Sequence, residues 1–256
     1  MIVLGIDTAT DVVSVAVVDG DVVLAASELR SERRHAEDLT PMIDFVVKRA
    51  GLGLNELAAV AVNVGPGLFT GMRVGIASAQ ALAYALSLPL VGVDGLAAMA
   101  AAVPAATASH VDIVVPTIDA RRSEVAWATH RVNSGGAQVR ADMTRVDAAR
   151  VGSIEDLLVA IRERAQNCLF VGDFAYRHRD DIMAALGVQS WTIAFGDDSL
   201  NWPHAKQVAL LAHAQLLRGD AHEHVTHESN SGVPTVAAMY LREADAEINW
   251  SQRSHA

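Results

Sequence analysis

The order of predicted elements repeats along the chain, and this repeat constrains the fold more than any single motif in the 256 residues. Apolar runs at 2–6, 12–18 and 22–27, with the hairpin signal Asp19-Gly20-Asp21 between the last two, predict three consecutive strands. A helix follows, with Leu39, Met42, Ile43, Val46, Val47 and Ala50 at the three-and-four spacing of one face and Gly51 at its end. Thr40-Pro41 is either its N-cap and first-turn proline, or a point inside a longer helix that starts near Glu32. A strand at 58–64, a helix at 70–86, a strand at 89–92 and a helix from Asp94 complete the half. The second half repeats this: strands at 112–118, 124–130 and 138–146, a helix at 154–165, a strand at 168–171, a helix at 176–186, a strand at 191–193, and a helix at 203–217 stopped by Gly219. The expected architecture is α/β: two lobes, 1–105 and 106–256, each a mixed sheet with helices. They join at a linker over 104–110 and have a cleft between them. The polar, histidine-rich stretch 220–234 is expected to be a loop or partly disordered.

The chain has 51% hydrophobic residues, enough for such a core without staples, and its one cysteine, Cys168, excludes an internal disulfide framework. The run Met1-Ile2-Val3-Leu4-Gly5-Ile6-Asp7 has no basic stretch before it and ends on an acid, unlike a signal peptide, and Pro, Asp or Gly interrupts every apolar stretch. The expected location is the cytoplasm, with no membrane anchor. A net charge of −10 opposes direct grip on RNA, because that affinity rests on Lys and Arg neutralising phosphates. If a nucleic acid is involved, another subunit is expected to carry most of its contacts.

Asp7-Thr8-Ala9-Thr10 falls in the turn between the first two strands, where Asp7, Thr8 and Thr10 are candidates for weak nucleotide binding; an ordinary hairpin turn uses the same residue types. The equivalent turn of the second half is Asp119-Ala120-Arg121-Arg122-Ser123, whose two bulky arginines oppose close approach of backbone amides to a phosphate. Between the strand at 58–64 and the following helix lies Gly65-Pro66-Gly67-Leu68-Phe69-Thr70-Gly71-Met72-Arg73-Val74-Gly75, which lacks the Gly-Lys-Ser/Thr ending of a Walker loop. Gly71 and Gly75 lie one turn apart, and mid-helix glycine costs about 1 kcal/mol relative to alanine, so close packing of another helix is expected there. A helical metal pair needs two histidines four apart, and His35 is followed at that distance by Leu39; His222, His224 and His227 do not have the spacing either. No nucleophile elbow or triad spacing is present.

Gly5-Ile6-Asp7-Thr8-Ala9-Thr10, Arg34-His35-Ala36-Glu37-Asp38-Leu39-Thr40-Pro41-Met42-Ile43 and the glycine-rich segment 65–75 resemble the bacterial TsaB (YeaZ) family over nearly all of the first lobe. In the second lobe the resemblance rests on Asp119-Ala120-Arg121, Gly172-Asp173 and Tyr240-Leu241-Arg242. It implies a tandem actin-like (ASKHA, RNase H-like) fold. It further implies a non-catalytic role beside a TsaD-type catalytic paralogue and a TsaE-type ATPase in making threonylcarbamoyladenosine on tRNA, with ATP and metal on those partners and no cofactor of its own. The first two helices would then bundle with the paralogue or with a second copy of the chain. Leu39, Met42, Ile43, Val46, Gly71, Met72, Gly75 and Ile76 are the expected partner-binding residues, and replacing Gly75 with a bulky residue is expected to weaken partner binding while sparing the fold. The competing reading is a small-molecule kinase or ATPase of the actin-like superfamily. A metalloprotease, a label attached to relatives, is opposed by the missing histidine pair.

Overall fold

The computed structural model describes residues 1–31, 34–133, 143–220 and 235–241. Its first half is β1 (Ile2–Asp7), β2 (Val12–Asp19), β3 (Val22–Arg30), α1 (His35–Arg49), β4 (Ala59–Gly65), α2 (Phe69–Leu86), β5 (Leu90–Asp94), α3 (Gly95–Ala101) and the single turn α4 (Ala105–Ala108). These strands form one sheet in the order β3-β2-β1-β4-β5, antiparallel across β1, β2 and β3 and parallel from β1 through β4 to β5. β4 is buried at every position and β2 at all but its last, whereas β3 exposes alternate residues. Central strands covered on both faces read as continuous apolar runs, and edge strands as alternation. α1 and α2 pack on one face, over Leu4, Ile6, Val13, Val15 and Val62.

The second half is β6 (Ile113–Arg121), β7 (Glu124–Trp127), β8 (His130–Val132), β9 (Met143–Arg145), β10 (Arg150–Ser153), α5 (Ile154–Arg164), β11 (Cys168–Val171), α6 (Asp173–Arg177), α7 (Arg179–Leu186), β12 (Ile193–Phe195) and α8 (Ala205–Arg218). β7 and β8 both pair β6, while β10 pairs β7 and β9 pairs β8, so the second and third strands of the first sheet are each matched here by a strand broken in two. With β11 and β12 parallel beyond β6, the strand order of the first sheet recurs. This is the tandem actin-like fold. The predicted helix at 176–186 is instead two helices meeting at His178, whose φ of −105° and ψ of 23° interrupt the turn while its ring stacks on Phe174 at 4.3 Å. α1 runs through Pro41, which settles the open choice at Thr40-Pro41 in favour of a proline inside the helix. Most of the expected strand at 138–146 and of the polar stretch at 220–234 lies outside the described residues.

The two halves interlock through their last helices. α8 lies on the face of the first sheet opposite α1 and α2, with Val208, Ala209 and Ala212 against Val3, Ala59, Ala61 and Val93. Gly5 makes this possible: a Cβ there would sit 2.3 Å from the Ala205 carbonyl. α3 sits between the sheets, its Leu96, Met99 and Ala100 in one cluster with Val114, Ile118 and Leu169. His204, just before α8, bonds Glu28 of β3 through Nδ1 at 2.7 Å and the Ser199 carbonyl through Nε2 at 2.8 Å. Burial opposes its charge, yet the Glu28 carboxylate and the Ser199 carbonyl outweigh that and hold His204 above the usual histidine range.

Candidate functional site: a sealed turn and an exposed helical face

Three segments converge on the β1–β2 turn. The Thr8 hydroxyl donates to the Gly71 carbonyl at 2.7 Å, the Leu68 amide donates to the Ala9 carbonyl at 2.7 Å, and His35 Nε2 meets the Thr10 carbonyl at 2.7 Å. Asp7, Thr8 and Thr10 are all buried. Asp7 Oδ1 accepts the Ala9 amide at 2.8 Å, while its Oδ2 is buried without a hydrogen bond. Burial pushes its carboxyl up to about 6 against the pull of that amide. Asn63 lies near enough to ease the charge, although its Nδ2 makes no hydrogen bond of good geometry. The three candidate nucleotide residues are thus brought together, but their polar groups are taken by the chain itself or shut away from solvent.

Gly71 and Gly75 explain the close approach. A Cβ on Gly71 would meet the Thr8 carbonyl oxygen at 2.2 Å, and one on Gly75 would meet Thr8 Oγ1 at 2.3 Å. The sequence rightly signals a tight contact at this pair; the nearest element is the β1–β2 turn of the same chain, with His35 at the start of α1 next to Gly71. The expectation that a bulky Gly75 variant spares the fold is corrected accordingly. Leu39, Met42, Ile43, Val46 and Ile76 are likewise buried in the core of their own sheet, and Met72 is buried at the start of α2, its sulfur close to Gly65. These positions therefore present no free apolar surface to a partner. Amphipathic spacing identifies a face that is buried without saying against what.

Across the cleft, the β6–β7 turn places Arg121, Arg122 and Ser123 at φ 66°, 55° and 62°. Arg121 spans the lobes to Asp11 at 3.6 Å and pairs Asp119 at 3.5 Å, and Arg177 pairs Asp119 at 2.9 Å and Asp173 at 2.5 Å. Burial opposes the Asp119 charge, but the Arg121 amide and the Arg177 guanidinium outweigh it and hold that carboxyl low; burial keeps Asp173 raised despite Arg177. The cleft between Thr10, Leu68, Asp119, Arg121 and Trp202 has an internal volume of only about 20 Å³, whereas pockets that hold small ligands run from about 300 to 1,000 Å³. Arginines engaged by three carboxylates are poorly placed to receive a triphosphate. Left-handed backbone costs a side-chain-bearing residue about 1–2 kcal/mol, so Ser123→Gly is expected to raise stability by about 0.5–1 kcal/mol in urea denaturation; a lower midpoint would show that the turn is not strained. Gly172, at φ 108°, packs onto the Thr117 carbonyl, and Asp173 accepts the Asp119 amide at 3.1 Å, so this pair braces the second sheet.

The other sides of α1 and α2 are open. Phe45 is 49% and Tyr84 59% exposed, and Phe69, Arg73, Ala77, Ala81 and Tyr84 form one exposed row along α2. The all-round apolarity of α2, through Ala77, Ala81 and Tyr84 among others, points in sequence to a second face that meets something else, without singling out this row. Among the described residues no group of three metal-ligating side chains converges, and no helix is long and apolar enough to cross a membrane.

Two interlocked actin-like lobes, a sealed β1–β2 turn and an exposed helical face on α1 and α2 define a protein of actin-like fold. The chain belongs to the family described as TsaD, tRNA N6-adenosine threonylcarbamoyltransferase, whose model matches residues 28–250, and it is similar to bacterial TsaB (YeaZ) proteins. It is similar to the tRNA threonylcarbamoyladenosine biosynthesis protein TsaB of Escherichia coli, 39% identical over 136 residues, which are 53% of this chain and 58% of that protein. With TsaB of Bacillus subtilis it shares 26% identity over 98% of both chains. The matched stretch thus spans little more than half of the E. coli relative and nearly all of the B. subtilis one. The solved structure of YeaZ from Pseudomonas aeruginosa matches with a TM-score of 0.67 at 26% identity, over 91% of this chain and 98% of that one.

Proposed function

We propose that the chain is a non-catalytic subunit that binds and supports a TsaD-type catalytic paralogue in threonylcarbamoyl transfer to the adenosine next to the tRNA anticodon. A TsaE-type ATPase works beside them, ATP and metal belong to those partners, and the complex acts in the cytoplasm. The observation that carries this reading is the pairing of a turn closed by its own helix with an open apolar face: the hydroxyl of Thr8 bonds the Gly71 carbonyl, while Phe45, Ala77, Ala81 and Tyr84 remain exposed on α1 and α2. Small residues at Ala77 and Ala81 let a second helix approach closely, and exposed aromatics near them supply anchors of the kind that dominate interfaces. The same face is open to a second copy of the chain. A net charge of −10 leaves tRNA to the rest of the complex.

The purified chain is expected to form a heteromer with a TsaD-type paralogue in sedimentation experiments. Phe45→Glu and Ala81→Arg, both on the exposed faces, are expected to weaken it at least about tenfold without moving the thermal midpoint. Wild-type affinity in both variants would remove the docking face from this account.

A further inference from the structure

The exposed row of α2 begins with a fixed guanidinium. Arg73 lies over the Phe69 ring at 3.8 Å from its centroid and 5.9 Å from that of Tyr240, and its Nε donates to the Tyr240 hydroxyl at 3.0 Å. The two rings are 5.3 Å apart. Tyr240 arrives from 167 residues further along the chain, on a segment whose Val236 is buried in the first core and whose Met239 amide donates to the Val64 carbonyl at 2.7 Å. Two rings and one hydrogen bond thus hold an exposed arginine in a set plane with Nε engaged. Among the described residues Arg73 has no acidic partner, like Arg49 and Arg179, which also lie over rings, and unlike Arg34, Arg121, Arg164, Arg177 and Arg218.

We propose that Arg73, held by Phe69 and Tyr240, receives a carboxylate from the protein that docks on α2; this rests on the docking reading above. The two Nη groups present parallel donors that match a carboxylate, and a guanidinium already stacked in place loses little freedom when it pairs. The row continues through Ala77 and Ala81, which approach a helix closely but add no second cation, so a phosphate backbone finds no track to follow. Tyr240 is a positioning residue: it touches Arg73, and its loss acts through Arg73.

The test measures affinity of the full chain for a TsaD-type paralogue at low and high salt, with tRNA binding followed in parallel. Arg73→Ala is expected to weaken the complex about tenfold or more at low salt, with a smaller ratio at high salt. Arg73→Lys is expected to restore only part of the loss, since an ammonium lacks the planar fork. Tyr240→Phe keeps the ring and loses only the Nε bond; a few-fold loss with the same salt trend is expected, and this variant carries the test if Arg73→Ala unfolds. Unchanged affinity in Arg73→Ala with an unchanged thermal midpoint overturns the inference, as does weakened tRNA binding with the protein complex intact. Failure of the wild-type chain to bind the paralogue overturns the docking reading instead.

Discussion

Gly71→Ala is expected to lower the stability of the chain by about 3 kcal/mol, the upper range for a methyl forced into a packed interior. The new Cβ would lie 2.2 Å from the Thr8 carbonyl oxygen, a backbone atom that cannot rotate aside. Nor is the turn free to retreat as a unit, because Thr8 Oγ1 bonds the Gly71 carbonyl, the Leu68 amide bonds Ala9 and His35 bonds Thr10. Ala77→Ser, on the exposed side of the same helix, should stay within about 0.5 kcal/mol of wild type and serves as the control. Urea denaturation of the two variants checks this. Equal midpoints would mean that the turn and α2 are not locked together, and the claim that the β1–β2 turn is sealed would fall with them.

Two buried groups are expected to tilt the pH dependence of stability in opposite directions. Asp7 is raised from 3.8 to about 6 by burial, so the folded chain holds its proton more tightly than the unfolded chain does. Its contribution is fully present below 3.8 and is lost as pH rises through 6; the drop approaches about 3 kcal/mol at about 1.4 kcal/mol per pKa unit. His130 is buried with neither ring nitrogen hydrogen-bonded, and burial lowers it from 6.5 to about 4. There the unfolded chain binds the proton better, so stability is lost as pH falls from 6.5 towards 4, again by about 3 kcal/mol. The wild-type profile between those limits is therefore nearly flat as far as these two groups decide it. Asp7→Asn should remove the loss on the neutral side, less what the amide costs beside Asn63, and His130→Leu should remove the loss on the acid side. Denaturation across the range reads both slopes; parallel profiles for the two variants would contradict the assignment.

Much of the fold was legible because its signals are local. Apolar runs with Asp19-Gly20-Asp21 between them gave the hairpin, Gly51 and Gly219 ended their helices in left-handed conformations at φ 76° and 77°, and the repeated order gave two sheets. What stayed hidden depends on contacts distant in sequence. Nothing in the pattern of Val208, Ala209 and Ala212 says that α8 covers the first sheet, because an apolar stripe carries no address. For the same reason Leu39, Met42, Ile43 and Val46 read as partner-binding, while α1 packs on β2 and β3 of its own lobe. Gly71 and Gly75 announced a close approach but not its direction. Arg121 and Arg122 warned of an altered cleft, and the ion pairs with Asp11 and Asp119 give that warning its physical form. The joining of Tyr240 to Arg73 crosses 167 residues, a separation that no periodicity bridges.

The most direct measurement of the central claim is threonylcarbamoyladenosine formation on tRNA. The reconstituted mixture contains a TsaD-type paralogue, a TsaE-type ATPase, ATP and the carbamoyl donor, with this chain added, omitted, or replaced by the Ala81→Arg variant. Product is expected only with the intact chain, and little with the variant at equal concentration. Equal product in all three mixtures would contradict the supporting role and return attention to the cleft between Asp11 and Asp119.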